Sequence, residues 1–176
     1  MSEPESPRDA FDRVLRRDLR AATEKALELA VSSLGQLGGF ALCATDSGGQ
    51  VFALANEPGH SGSEEEFAFG DWSEEIHAPF EELHQLEAHA ERWPELAMDR
   101  FATLLSVLQA MKTDGSFAEV SCAESSFVLA VAGVDPSPDL EEFEHQSVRS
   151  LSHPQVGRRL QDLVDQWHQE QERRDL

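Results

Sequence analysis

Residues 39–56, GFALCATDSGGQVFALAN, set two short apolar runs on either side of Ser47-Gly48-Gly49. Runs of this length around a glycine-containing tight turn read as two strands of a hairpin, GFALCATD (39–46) and QVFALAN (50–56). A lone hairpin is at best marginally stable in water, so the rest of the chain has to cover it.

Helices are the expected cover. Phe11, Leu15, Leu19, Ala22, Ala26 and Leu29 recur at steps of three and four, the apolar stripe of one long helix over residues 7–34. Ser6 before Pro7 marks its start, and Gly35 with Gly38-Gly39 marks its end. Residues 57–75 form an acidic connection in which Phe67-Ala68-Phe69 alternates like a brief third strand. A helix is expected from Pro79 to about Trp93. Pro94 interrupts it, and a second helix carries Phe101, Leu104, Leu105, Leu108 and Met111 on one face. DGSF (114–117) is a turn, and FVLAVAGVD (127–135), the most apolar stretch, reads as a central strand. Pro136 and Pro138 forbid regular structure for a few residues. From Pro154 a last helix presents Val156, Leu160, Leu163, Val164 and Trp167 as its core face.

This order predicts an α+β fold, a small antiparallel sheet packed against a long N-terminal helix, a central helix pair and a C-terminal helix. At 176 residues one domain is expected, over 7–170, with 1–6 and 171–176 as frayed ends. A doubly wound nucleotide fold needs repeated β-α-β units and a glycine-rich first turn. Neither GxGxxG nor GxxxxGK[ST] occurs.

Charge narrows the function. Thirty-four acids against fourteen bases give a net −20. Residues 37–135 hold eighteen acids and three bases, a net −15. Nucleic acids and anionic membranes both require a basic footprint, so neither is an expected partner. A basic protein would be steered in by such a field, although net charge also serves plain solubility. No apolar run approaches the roughly 18 residues of a membrane helix. The N-terminus lacks the apolar core of a signal peptide, and the expected location is cytoplasmic. Cys43 and Cys122 lie in or beside apolar segments without metal or redox spacing and read as reduced structural thiols. Twelve arginines against two lysines point to a GC-rich bacterial genome.

The segment HSGSEEEFAFGDWSEE (60–75) is where chemistry is most tempting. His77, Glu81 and His84 stand at i, i+4 and i+7, one face of a continuous helix. Pro79, however, belongs in a first helical turn, which leaves His77 outside the helix. With no HExxH and no calcium-loop spacing, no metal and no cofactor are expected. GHSGS (59–63) fails the GxSxG nucleophile pattern at Ser63, and ALCATD does not stabilise a thiolate. No catalytic residue is therefore assigned. Trp72, beside Asp71 and near Phe67 and Phe69, is either a core residue or an indole ringed by carboxylates. In the second case it is a good anchor for a basic partner, and whether it is buried decides.

FALCATDSGGQVFALANEPGH behind a long helix, then FGDWSEE, a helix pair, FVLAVAGVDPSPD and SVRSLSHPQVGRRL resemble the uncharacterised bacterial family called domain of unknown function 4303. The likeness spans roughly residues 10–165. The chain departs from the family pattern at Asn56-Glu57-Pro58 and at Leu151-Ser152-His153-Pro154. The resemblance implies no activity. Small acidic α+β families of similar kind often serve as immunity proteins beside toxin genes, an analogy between families.

The leading expectation is thus a non-enzymatic acidic binding protein, of immunity type, that docks a basic toxin or another basic protein. Its expected contact set is Glu64, Glu65, Glu66, Asp71, Trp72, Glu74 and Glu75. The alternative is a small enzyme or ligand binder with a pocket between sheet and helices. A third reading is a homodimer formed through the first helix.

Overall fold

The computed structural model describes residues 7–134 and 136–174. The side chains of residues 7–11, 64, 84 and 85 lie outside the described set, and with them the expectations placed on Phe11, Glu64 and His84. The ends, 1–6 and 175–176, and Asp135 lie outside it as well.

Helix α1 runs from Pro7 to Leu34 and buries Leu15, Leu19, Ala22, Ala26 and Ala30. The stripe closes on Ala30, whereas Leu29 is exposed. Gly35, at φ +80°, turns the chain out of the helix and donates its N–H to the Val31 carbonyl at 2.8 Å. Strands β1 (Gly39–Ala44) and β2 (Val51–Asn56) then form the expected hairpin, with Gly39 opposite Asn56 and Ala44 opposite Val51. Its turn is pinned from outside. The buried Arg100 donates from Nε to the Ser47 carbonyl at 2.8 Å and from Nη1 to the Trp93 carbonyl at 3.1 Å.

The third strand is not at Phe67–Phe69. It is β3, Glu74–Ile76, antiparallel to β2. Phe69 starts a short 3₁₀ turn through Asp71 instead, and three-residue spacing then sets Phe69 and Trp72 side by side. The expected helix from Pro79 also begins later. A 3₁₀ turn occupies Ala78–Phe80, and α2 spans His84–Arg92. Past the break at Pro94, α3 (Ala97–Thr113) buries Phe101, Leu104, Leu108 and Met111 as expected.

Strand β4 (Val128–Gly133) corrects two expectations at once. The sheet order is β3-β2-β1-β4, and β4 pairs parallel to β1, with Gly39 beside Val128 and Ala44 beside Gly133. The sheet is therefore mixed, because the helical crossover between β3 and β4 returns the chain to the same end of β1. The apolar β4 is also an edge strand, not a central one. Its burial comes from α4 (Pro138–Leu151), an element the two prolines seemed to forbid. Proline is in fact suited to the first turn, and Ser137 caps the helix by accepting from the Leu140 N–H.

Helix α4 takes the place of a fifth strand. Ser152 Oγ accepts from the Leu129 N–H at 2.9 Å and donates to the Leu129 carbonyl at 3.0 Å. Ser147 Oγ does the same for Val131, at 2.9 and 3.1 Å. Glu144 Oε2 accepts from the Gly133 N–H at 3.3 Å. An exposed edge that would invite pairing with another chain is thereby closed by side chains.

Alternation along the strands gives the sheet two faces. Phe40, Leu42, Leu129 and Val131 meet α1 and α3 on one. Ala41, Cys43, Ala130 and Ala132 lie on the other, under Phe69, Trp72 and helix α5 (Pro154–Arg174). The small residues of this second face let its cover come close. A Cβ on Gly39 would stand 2.5 Å from the Trp72 ring. Among the described residues no helix is long and apolar enough to cross a membrane.

Candidate functional site

The acidic connection is less of a surface than its composition implies. Trp72 is buried, with 7% of its area exposed, between the start of β1 and Phe69, whose ring centroid lies 4.9 Å away. It is a core residue and offers no anchor to a partner. Glu66 is also buried. Arg159 of α5 grips it from Nε, at 2.9 Å to Oε2, and from Nη2 to Oε1. Arg159 Nη1 donates to the Ser125 carbonyl at 3.1 Å, and the Gly62 N–H donates to Glu66 at 2.8 Å. The paired carboxylate raises the Arg159 pKa. Glu66 and Trp72 therefore leave the expected contact set, because each is consumed in fastening the connection to the body of the fold.

The remaining members stay near solvent. Glu65 is exposed and meets His60 Nδ1 at 2.7 Å; Asp71 and Glu75 are exposed. Glu74 is half-buried and accepts from Ser33 Oγ at 2.6 Å. His77 precedes the 3₁₀ turn at Ala78, so the helical triad with Glu81 and His84 does not form. Among the described residues no group of three or more metal-ligating side chains converges. Burial raises the Cys43 thiol far above its ordinary pKa, and Cys122 is half-buried.

The concave site lies elsewhere, between α4, α5 and the Phe67–Ala68 segment. Simple lengths explain it. A six-residue strand spans about 20 Å at about 3.3 Å per residue. The 21 residues of α5 span about 31 Å at about 1.5 Å per residue. Val156 and Leu160 reach the sheet and are buried; Leu163 and Val164 are half-buried. Trp167, expected in the core, is 56% exposed. The apolar stripe of α5 outlasts the sheet beneath it, and its last part becomes the wall of a groove.

The groove encloses about 640 Å³. Phe67, Leu160, Leu163 and Val164 give it an apolar floor, and Trp167 stands on its rim. Its charged lining is Glu141, Glu142, Glu144 and Glu170, joined by His145 and His168. Among the described residues no lysine or arginine lines it. Arg149, the base of α4, is turned toward Gln161 at 2.7 Å instead.

Glu144 and His145 are electrostatically unusual. Desolvation pushes the Glu144 carboxyl up to about 7, against the Gly133 N–H that favours its ionised form. Desolvation likewise lowers the His145 pKa, opposed by Glu141. Both groups, in the lining of the groove, are thus biased toward neutrality. The sequence does carry signals for this site. Ser147 and Ser152 mark hydroxyls reserved for the β4 edge beside the groove, which they do not line. Trp167 sits one turn beyond the last residue the sheet can cover.

The profile of a family described as "Domain of unknown function (DUF4303)" matches residues 19–153, well over half of the chain. No curated protein and no solved structure matches it.

Proposed function

Since the chain belongs to the DUF4303 family, whose description names no activity, we propose its function from the groove: a non-enzymatic, acidic binding protein for a basic protein partner. The observation that carries this reading is the exposed Trp167 on an apolar groove rimmed by four glutamates. Tryptophan is enriched among the residues that dominate binding energy, and an acidic rim both steers and selects a cationic partner. The net charge of −20 extends that attraction over the whole molecule. An immunity-type inhibitor that occupies the basic active site of a toxin is the specific form of this function, in a bacterial cytoplasm.

The contact set moves accordingly. Trp167, Glu141, Glu142, Glu144 and Glu170 form the docking site, while Glu65, Asp71 and Glu75 add to the long-range field. One observation favours a second reading, a small-ligand binder or enzyme. Glu144 and His145 are adjacent in sequence and both line the cavity, with pKa values shifted in opposite directions by desolvation.

The test is calorimetric titration of an acetylated, amidated Leu-Leu-Arg-Leu-Leu-Arg peptide into the wild type, Trp167→Ala and the triple variant E65Q/D71N/E75Q. Salt is varied from about 0.01 M to about 0.15 M, over which the Debye length falls from about 30 Å to about 8 Å. The wild type is expected to bind, more weakly at the higher salt. W167A should lose most of the binding and the triple variant little of it. Binding insensitive to salt, or unaffected by W167A, contradicts the proposal.

A further inference from the structure

Helix α4 and its capping residue Ser152 close the free edge of β4 with three side chains, and two of them are serines. A serine hydroxyl satisfies both the N–H and the carbonyl of an edge residue without charge. At the third position stands a carboxylate. Only its Oε2 is used, by the Gly133 N–H, and among the described residues Oε1 has no hydrogen-bond partner. A neutral acceptor would close the edge equally well and avoid the cost of desolvating an anion.

Among the described residues no cation is supplied to Glu144 from within. On α4 itself the neighbours of Glu144 are Glu141, Glu142 and His145, and Arg149 is spent on Glu142 and Gln161. Across the groove, α5 contributes His168 and Glu170. From the sheet, the buried Cys43 of β1 lies within electrostatic reach of Glu144 and of Glu75 of β3. Glu144 is therefore a half-buried acid among acids, facing a cavity whose rim holds an exposed indole.

From this geometry we infer that Glu144 is the counter-charge of a subsite for one arginine or lysine side chain of the partner, with Trp167 as its aromatic wall. The chemistry is complementary at both ends. A carboxylate oxygen accepts from the cation, and an indole face attracts it. A second copy of this chain would bring the same acidic rim and the same large negative charge, which disfavours self-docking. The inference rests on the binding function proposed above and specifies what the groove reads.

A consequence follows for protons. The carboxyl titrates near 7 when the groove is open to water. A bound cation favours the ionised form, so docking breaks the O–H bond of the protonated fraction and sends the proton to the buffer. His145 also loses positive charge as pH rises, which adds to the preference for a cation. Affinity should therefore increase from pH 5.5 to pH 8.

Four titrations decide it. The Leu-Leu-Arg-Leu-Leu-Arg peptide and its counterpart with citrulline at both arginines are each titrated into the wild type and Glu144→Gln. Binding is followed by nitrogen-15 NMR of the tryptophan indoles and by calorimetry in two buffers of different ionisation enthalpy. Glutamine keeps an oxygen for the Gly133 N–H, and unchanged amide spectra confirm the fold. The arginine peptide should bind the wild type at least about tenfold more tightly than the citrulline peptide, with proton release at pH 7. E144Q should lose that preference and most of the proton release, while still binding the apolar part of either peptide. Equal binding of the arginine peptide by wild type and E144Q, with equal proton release, overturns the subsite but leaves groove binding intact. A Trp167 indole unmoved by either peptide overturns the binding function itself, and the subsite with it.

Discussion

Trp72 sits in a run of acids and is buried; Trp167 sits on an amphipathic stripe and is exposed. Composition ranks them the other way round. The difference lies in what stands opposite each side chain. Trp72 faces Gly39 and the alanines of the second sheet face, where there is room for an indole and nothing else to fill it. Trp167 comes after the sheet has ended, so its helix face has no opposing layer. The same contrast separates the acids. Glu66 has an arginine across from it and becomes a strut, while Glu144 has no cation among its described charged neighbours and faces a cavity. Burial and function here are decided by the opposing surface, not by the local run of residues.

The largest test of this contrast is to truncate both tryptophans. Trp72→Ala should cost about 3–5 kcal/mol in urea unfolding, the usual range for removing a core aromatic. Trp167→Ala should stay within about 0.5 kcal/mol, as surface changes do. Reversed magnitudes would break the comparison. The acids provide the next test. Arg159→Ala leaves the buried Glu66 without its cation and should cost about 3 kcal/mol. Neutralising Glu65, Asp71 or Glu75 should each change stability by no more than about 0.5 kcal/mol.

A smaller effect sharpens the account of α4. Ser147→Ala strips the Val131 N–H and carbonyl of their partner in a buried setting, for an expected loss of about 1–3 kcal/mol. A further test concerns pH. The folded-state pKa of Glu144, about 7, lies above its ordinary value of 4.5, so the native state binds its proton more tightly than the unfolded chain. Its stabilising contribution is complete below about pH 4.5 and is lost as pH rises through about 7. Glu144→Gln should therefore flatten the decline in stability between those limits. His145, whose folded pKa is lowered, acts in the opposite sense, with stability lost as pH falls through its ordinary value of 6.5. The comparison of E144Q with wild type isolates the glutamate.

Much of the fold was legible because it follows from period and punctuation. The stripe of α1, the hairpin around Ser47-Gly48-Gly49 and the face of α3 each declare themselves locally. What was missed depends on partners distant in sequence. The pairing of β4 with β1 is fixed by a crossover, and its edge is closed by hydroxyls sixteen or more residues downstream. Alternation at Phe67–Phe69 misled because Phe69 pairs with Trp72 around a turn. Pro138 reads as a barrier in the sequence, yet its place is the first turn of α4. The groove was partly legible in the length of α5 against the short strands, whereas the role of Glu144 required knowing what faces it.

The most direct test of the whole account is the indole region of the nitrogen-15 NMR spectrum during titration with the Leu-Leu-Arg-Leu-Leu-Arg peptide. The groove account predicts that the Trp167 signal moves in a saturating manner while the Trp72 signal stays in place. Movement of the Trp72 signal with Trp167 unaffected would return the docking surface to the acidic connection and contradict the account.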